Sequence, residues 1–359
     1  FTLTFLILTT RFLFQYLKQK TISRAVHEVE FKIRDKLIES LYNSNLSFLL
    51  KKKEGEWLSS FSYDVVRARN VIADISNLLG NIFLMILYII ILCLISFELF
   101  IFCIPIFLIG VLILKSRSNF FEKVGKNISR NTSNYLTIHE DVMKNIVFIK
   151  MKNLVSFFEK KLQKESRRIA LSQYSVTKQN FKIEAIFGFV LLLGVFYILL
   201  LSEFVLNLDL FQIAIFLFII NRTTPCLQNS LRSLLNFLVN MQSLRVIIEL
   251  TSRADKMKEE NYGNEIIRQN INSIEFKKLN FSYSNLKNHK NLSNINFKIN
   301  RGESVGLIGE SGSGKSTLLN VLTGFYKHKT GNLFINGKKI EQININDFRK
   351  KISYIPQSP

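Results

Sequence analysis

The chain has 359 residues, room for about two domains, and 48% of it is hydrophobic, with 32 Phe against only 4 Pro. Its net charge of +21 would suit a nucleic acid or an anionic membrane surface. The distribution argues against nucleic acid: Ile75–Leu114 and Ile183–Asn221 contain no Lys or Arg, whereas basic residues crowd Lys18–Arg69 and Lys115–Lys182, as in segments on the inner side of a membrane.

Residues 1–17 read as the last part of a membrane helix, in a sequence that opens inside an apolar run and looks cut at both ends. Arg11 is its odd member. It either snorkels to the cytoplasmic interface or faces a water-filled cavity where it meets an anionic group. Lys18–Asp74 follows as a polar, Pro-free excursion with spaced apolar positions (Val29, Ile33, Leu37, Leu41) and a turn expected near Gly55 and Trp57. Each half of about 28 residues would reach roughly 40 Å, well beyond a bilayer surface.

Two membrane helices, Ile75–Phe97 and Leu99–Leu114, come next, with Glu98 as the polar point between them and Pro105 as a possible kink. A second polar excursion occupies Lys115–Lys182. Ile183–Leu201 and Leu210–Ile220 complete a set of five spans, and the last helix is expected to run on through Pro225 towards Leu250. Cys93, Cys103 and Cys226 lie in apolar stretches without paired spacing, and the four His are scattered, so neither a disulfide frame nor a metal cluster is expected.

The expected organisation is an all-α transmembrane bundle at 1–250, a polar linker at 251–270 and an α/β domain at 271–359. Alternating segments Ile274–Leu279, Ile295–Ile299, Ser304–Ile308 and Asn332–Ile335 read as strands, punctuated by turns at Arg301-Gly302, Gly331 and Asn336-Gly337. Between the third and fourth lies Gly309-Glu-Ser-Gly-Ser-Gly-Lys-Ser-Thr317, which fits G-x-x-x-x-G-K-[ST] at every fixed position. A strand leading in and a helix leading out would make it a phosphate loop. Gly309, Gly312 and Gly314 free the backbone N–H groups to face phosphate oxygens, and Lys315 supplies charge at the β- and γ-phosphates. The hydroxyl of Ser316 is placed to ligate Mg²⁺. ATP is the expected nucleotide. Ser313 and Thr317 complete the loop.

Tyr283 precedes this loop in Asn-Phe-Ser-Tyr, and Gln357 ends a further expected strand in Tyr-Ile-Pro-Gln. Taken alone, an aromatic in a strand is more often core than ligand contact. The order of Tyr283, the loop, Gly331–Gly337 and Asp347–Gln357 resembles the nucleotide-binding domain of ABC transporters, and the membrane half ahead of it resembles the exporter-type half-transporter. That resemblance implies Tyr283 as the adenine-stacking aromatic and Lys315 and Gln357 as catalytic groups, with Ser316 and Gln357 holding Mg²⁺. It also implies coupling helices around Ser59–Arg69 and Glu140–Ile149. The family's first membrane helix lacks a counterpart here. Its signature loop, Mg²⁺-binding Asp with catalytic Glu, and switch His would follow Gln357, beyond Pro359.

The resulting expectation is an ATP-hydrolysing exporter subunit that pairs with a second half-transporter, alike or different, in a bacterial inner membrane. Its cargo is not named by the sequence. An ATP-gated channel, a regulatory subunit that binds ATP without turnover, and an importer on the same scaffold are the alternatives.

Overall fold

A computed structural model describes residues 2–95, 97–204, 210–259, 262–283 and 292–355. It divides into two compact units, 1–41 with 52–253, and 42–51 with 254–359.

The first unit is built from long helices: α1 (Thr2–Tyr42), α4 (Val65–Ile95), α5 (Phe97–Lys144), α7 (Val155–Phe204) and α8 (Leu210–Lys256). Short helices α3 (Glu54–Leu58) and α6 (Ile146–Met151) belong to this unit too, with a π-helical stretch at Ser59–Asp64 leading into α4, whereas α2 (Leu46–Lys51) belongs to the second unit. The helix expected as the last span continues through Pro225, inside α8. That helix also runs six residues into the segment that reads as linker, ending at Lys256.

Helical periodicity explains which faces meet. On α8, Leu227, Leu231, Leu235 and Val239 recur every four residues and are buried; Phe121, Val124 and Ile128 of α5 and Ile183 and Phe187 of α7 pack against them. Further along, Ile247 and Leu250 of α8 join Leu37 of α1 and Val65 and Ala68 of α4. The helices are drawn very close at two glycines. A Cβ at Gly55 would lie 2.4 Å from Thr137 Cα on α5, and one at Gly125 would lie 2.5 Å from the Val239 carbonyl oxygen on α8.

Within this unit, two helical runs, Glu54–Leu94 and Val155–Tyr197, are long and apolar enough to cross a membrane, and only 6% and 11% of their most apolar windows are buried. Large side chains such as Leu79, Phe83, Phe189, Leu192 and Phe196 point outward. Such a continuous apolar exterior suits a lipid environment, not water. The side chain of Arg11 lies outside the described residues.

The second unit holds an antiparallel sheet in the order β2-β1-β3-β4, from β1 (Ser273–Phe281), β2 (Leu292–Asn300), β3 (Thr330–Ile335) and β4 (Lys338–Lys339). Helix α9 (Lys315–Leu322) packs Leu318 and Val321 onto it. The small helix α10 (Ile345–Arg349) adds Ile345 and Phe348 to the same core as Phe276, Leu279, Phe281, Leu333 and Ile335. A bulge between Phe276 and Leu279, where Lys278 has φ +49°, returns Leu279 to the core face after a three-residue step. Asn336 and Gly337, with φ +50° and +77°, form the hairpin turn between β3 and β4.

Three of the four expected strand segments lie in these strands. Ser304–Ile308 does not: it pairs with no strand among the described residues, and Ile308 is 98% exposed. Residues 352–355, expected as the strand before Gln357, are likewise unpaired. Apolar alternation gives a segment strand propensity, but only a hydrogen-bonded neighbour makes a strand.

The reversal of the first excursion also differs from expectation. It falls at Asn43–Asn45, where the Asn45 side chain accepts from Phe48 N at 2.9 Å and starts α2. Ser59–Arg69, expected to hold the short coupling helix, is instead part of the return run, π-helical over Ser59–Asp64 and α-helical from Val65. In the second excursion the short helix α6 overlaps the expected Glu140–Ile149.

The contact at Gly55 sets a test. Gly55→Ala forces backbone apart and is expected to cost about 1–3 kcal/mol, read as a lower midpoint of thermal unfolding. Gly188→Ala, whose Cβ meets nothing within 4 Å, should leave the midpoint unchanged.

Candidate nucleotide site

The loop at Gly309–Thr317 is shaped by two left-handed glycines. Gly312 has φ +86° and Gly314 φ +96°, conformations that side-chain-bearing residues rarely adopt. Gly309 serves through closeness, since a Cβ there would stand 2.7 Å from Ser313 Oγ. Gly314 caps α9, and its carbonyl accepts from Leu318 N at 2.8 Å. The free N–H groups of the first helical turn therefore follow directly on the loop, bringing the positive end of the helix dipole with them.

Lys315 folds back across this turn. Its Nζ donates to the carbonyl oxygens of Gly309 and Glu310, at 2.7 Å each, and stands 3.5 Å from Ser313 Oγ. The ammonium is thus held over the loop by exchangeable carbonyl contacts, with no carboxylate engaging it among the described residues. Ser316 is exposed beside it, whereas Thr317 is buried.

Tyr283, 34 residues earlier, reaches this assembly: its hydroxyl is 3.1 Å from Thr317 Oγ1. Its ring packs edge-on against Phe281 at 5.0 Å and against Tyr326 at 5.1 Å. Burial, and secondarily Tyr283, pushes the Tyr326 hydroxyl above the usual tyrosine range. The two tyrosines share the wall of a cavity of about 230 Å³ within the second unit, together with Tyr262, Asn45 and Glu259. Tyr326 went unnoticed in the sequence; its place directly after the loop helix was the available signal.

The structure thus gathers Tyr283, Gly309, Gly312, Ser313, Gly314, Lys315, Ser316 and Thr317. Gln357 lies outside the described residues. The cradle fits a phosphate chain: the space beside Gly312 is open to 4 Å, and one cation, Lys315, overhangs the loop. No group of three His, Cys, Asp or Glu that could hold a metal occurs among the described residues. The Ser316 hydroxyl beside the loop is an oxygen donor of the kind that Mg²⁺ accepts.

Membrane-length apolar helices and a phosphate loop thus occur on one polypeptide. Residues 1–221 match the family described as the ABC transporter transmembrane region, and residues 292–359 match the ABC transporter family. The chain belongs to the ABC transporter family. It is 26% identical over 356 residues to an ATP-dependent lipid A-core flippase of Wigglesworthia glossinidia brevipalpis, covering 94% of this chain and 58% of that protein. The flippase of the same name from Escherichia coli (strain K12) is 24% identical over 357 residues, covering 96% and 59%. A solved structure of a bacterial Atm1-family ABC exporter with ATP bound superposes with a TM-score of 0.73 at 18% identity, covering 94% of this chain and 59% of that one. The chain spans about three-fifths of the length of these relatives.

The glycine geometry yields a prediction. Gly314→Val cannot hold φ +96° and is expected to lower affinity for a fluorescent ATP analogue by more than about tenfold, the equivalent of 1.4 kcal/mol. Gly306→Ala, with no atom within 4 Å of the added Cβ, should bind within about twofold of the parent.

Proposed function

We propose that this chain is the ATP-binding part of an exporter-type half-transporter, using ATP binding and hydrolysis to move a cargo across a bacterial inner membrane. The observation that carries this reading is the phosphate loop, with Lys315 poised above it, on the same polypeptide as membrane-length apolar helices. The likeness to flippases and to an exporter supports outward transport, although neither cargo is carried over to this chain.

In this reading Lys315 exchanges its two carbonyl contacts for the β- and γ-phosphate oxygens, so its charge is spent on the group that changes during hydrolysis. Tyr283 offers a ring face to adenine, braced by Phe281 and Tyr326. Ser316 and Gln357 would hold a Mg²⁺ beside the phosphates, and that ion supplies charge neutralisation. Segments 1–250, 251–270 and 271–359 serve as membrane domain, linker and the first part of the nucleotide domain.

The half-transporter works as a pair, alike or different, embedded in the bilayer. The tip of the second excursion exposes Val147, Phe148 and Met151 on α6, an apolar surface suited to pressing on a nucleotide domain. ATP favours the closed pair and hydrolysis releases it.

In the transporter that carries this chain, Lys315→Ala is expected to lower ATP turnover by about a hundredfold or more, measured by phosphate release in nanodiscs. Turnover equal to that of the parent would contradict the assignment.

A further inference from the structure

The phosphate loop engages only the first turn of α9, and the far end of that helix is held by a residue the loop does not use. Thr323 is the C-cap of α9, where the last carbonyl groups of a helix lack intrahelical partners and the dipole is negative. Arg349, at the end of α10, meets that need: its Nε donates to the Thr323 carbonyl oxygen at 2.9 Å. The same guanidinium lies over the Phe325 ring at 4.4 Å, and its Nη2 donates to Glu259 Oε1 at 2.5 Å.

Glu259 belongs to the segment that reads as linker, and its backbone engages a third element. Its N–H donates to the Asn43 carbonyl oxygen at 2.9 Å, and the Asn45 N–H donates to the Met257 carbonyl oxygen at 2.8 Å. Between these bonds Ser44 and Lys258 face each other as an isolated antiparallel bridge. Backbone pairing therefore joins the tip of the first excursion to the linker, and residues 42–51 fall in the same compact unit as 254–359.

The bonds form one path, from the Thr323 carbonyl through Arg349 and Glu259 to the Asn43 carbonyl, each link 2.9 Å or shorter. Both bonds of Arg349 are charge-assisted. The ion pair is mostly shielded from water, with 21% of the Arg349 and 31% of the Glu259 side chain exposed. Holding α10 in place does not require it: Ile345 and Phe348 bury that helix in the core, and the Asn344 side chain caps its start.

We propose that Arg349 is a positioning residue that ties the far end of the phosphate-loop helix, through Glu259, to the tip of the first excursion, so that nucleotide held by a chain tightens the backbone pairing of its own tip. The proposal rests on the reading of Gly309–Thr317 as an ATP site. Phosphate oxygens would engage the N–H groups that open α9, eight residues and about 12 Å from its other end. A short helix packed through Leu318 and Val321 is a rigid element, and hydrogen-bonded and ion-paired networks carry its displacement onward.

Hydrogen–deuterium exchange at the Asn45 and Glu259 amides reads the pairing directly, in the transporter that carries this chain, in nanodiscs with and without ATP. Binding of a fluorescent ATP analogue is measured on the same samples. In the parent, ATP is expected to slow both amides by about threefold or more. Glu259→Gln leaves the Arg349 bond to Thr323 in place, so it should bind the analogue within about twofold of the parent, yet lose the slowing by ATP. Arg349→Gln should lose the slowing too, whereas Arg349→Lys, which keeps the charge opposite Glu259, should retain part of it. Lys350→Gln, at the exposed neighbouring position, should respond as the parent does. A purely structural tie would speed exchange equally with and without ATP, so a parental ATP response in both Glu259→Gln and Arg349→Gln overturns the proposal. So does a parent that binds the analogue with no response at these amides. A parent that does not bind the analogue overturns the ATP reading itself.

Discussion

Helices of 41 to 50 residues cannot be accounted for by a bilayer. At 1.5 Å per residue, the 50 residues of α7 span about 75 Å against a hydrocarbon core of about 30 Å. The surplus must be held by packing in water, since isolated helices are only marginally stable. Everything else in the first unit answers to that requirement. The leucine column of α8 supplies a continuous apolar seam, and Gly55 and Gly125 let neighbouring backbones approach until the seam closes. Two polar ties cross the seam: Arg67 donates to the Val239 carbonyl oxygen at 3.1 Å, and Asn240 donates to Asp74 at 2.9 Å. Arg69 bonds Glu30 from α4 to α1 and holds that carboxyl below its ordinary range.

Such cross-helix ties have a consequence for motion. A helix that is one rigid rod from bilayer to tip transmits a displacement at either end to the other. The polar ties decide which rods move together. Buried hydrogen bonds to charged groups are costly to break one at a time, so the return run and α8 are best viewed as joined through Arg67.

The nucleotide site was legible in the sequence because its determinants are local. Gly312, Gly314 and Lys315 fall within four residues, and the backbone conformation they require is written in the choice of glycine. Asn336-Gly337 was legible for the same reason. Tyr326 was not, because its contact with Tyr283 joins positions 43 apart and no spacing rule links them. The unpaired state of Ser304–Ile308 was also invisible, since apolar alternation reports a side-chain pattern and says nothing about which strand lies alongside. The reversal lies at Asn43–Asn45 and not near Gly55 and Trp57, because the Asn45 side chain accepts from Phe48 N and starts α2 there. In the membrane half, the buried partners of Asp64 and Arg67 required three dimensions.

The central claim is that nucleotide held at Gly309–Thr317 is felt by the membrane helices. Hydrogen–deuterium exchange on the chain in nanodiscs, with and without ATP, tests this directly. The account predicts altered exchange in α3, the return run and the adjoining part of α5, in addition to slower exchange in the loop and α9. A response confined to residues 273–355, with the helices of the first unit unchanged, would contradict it.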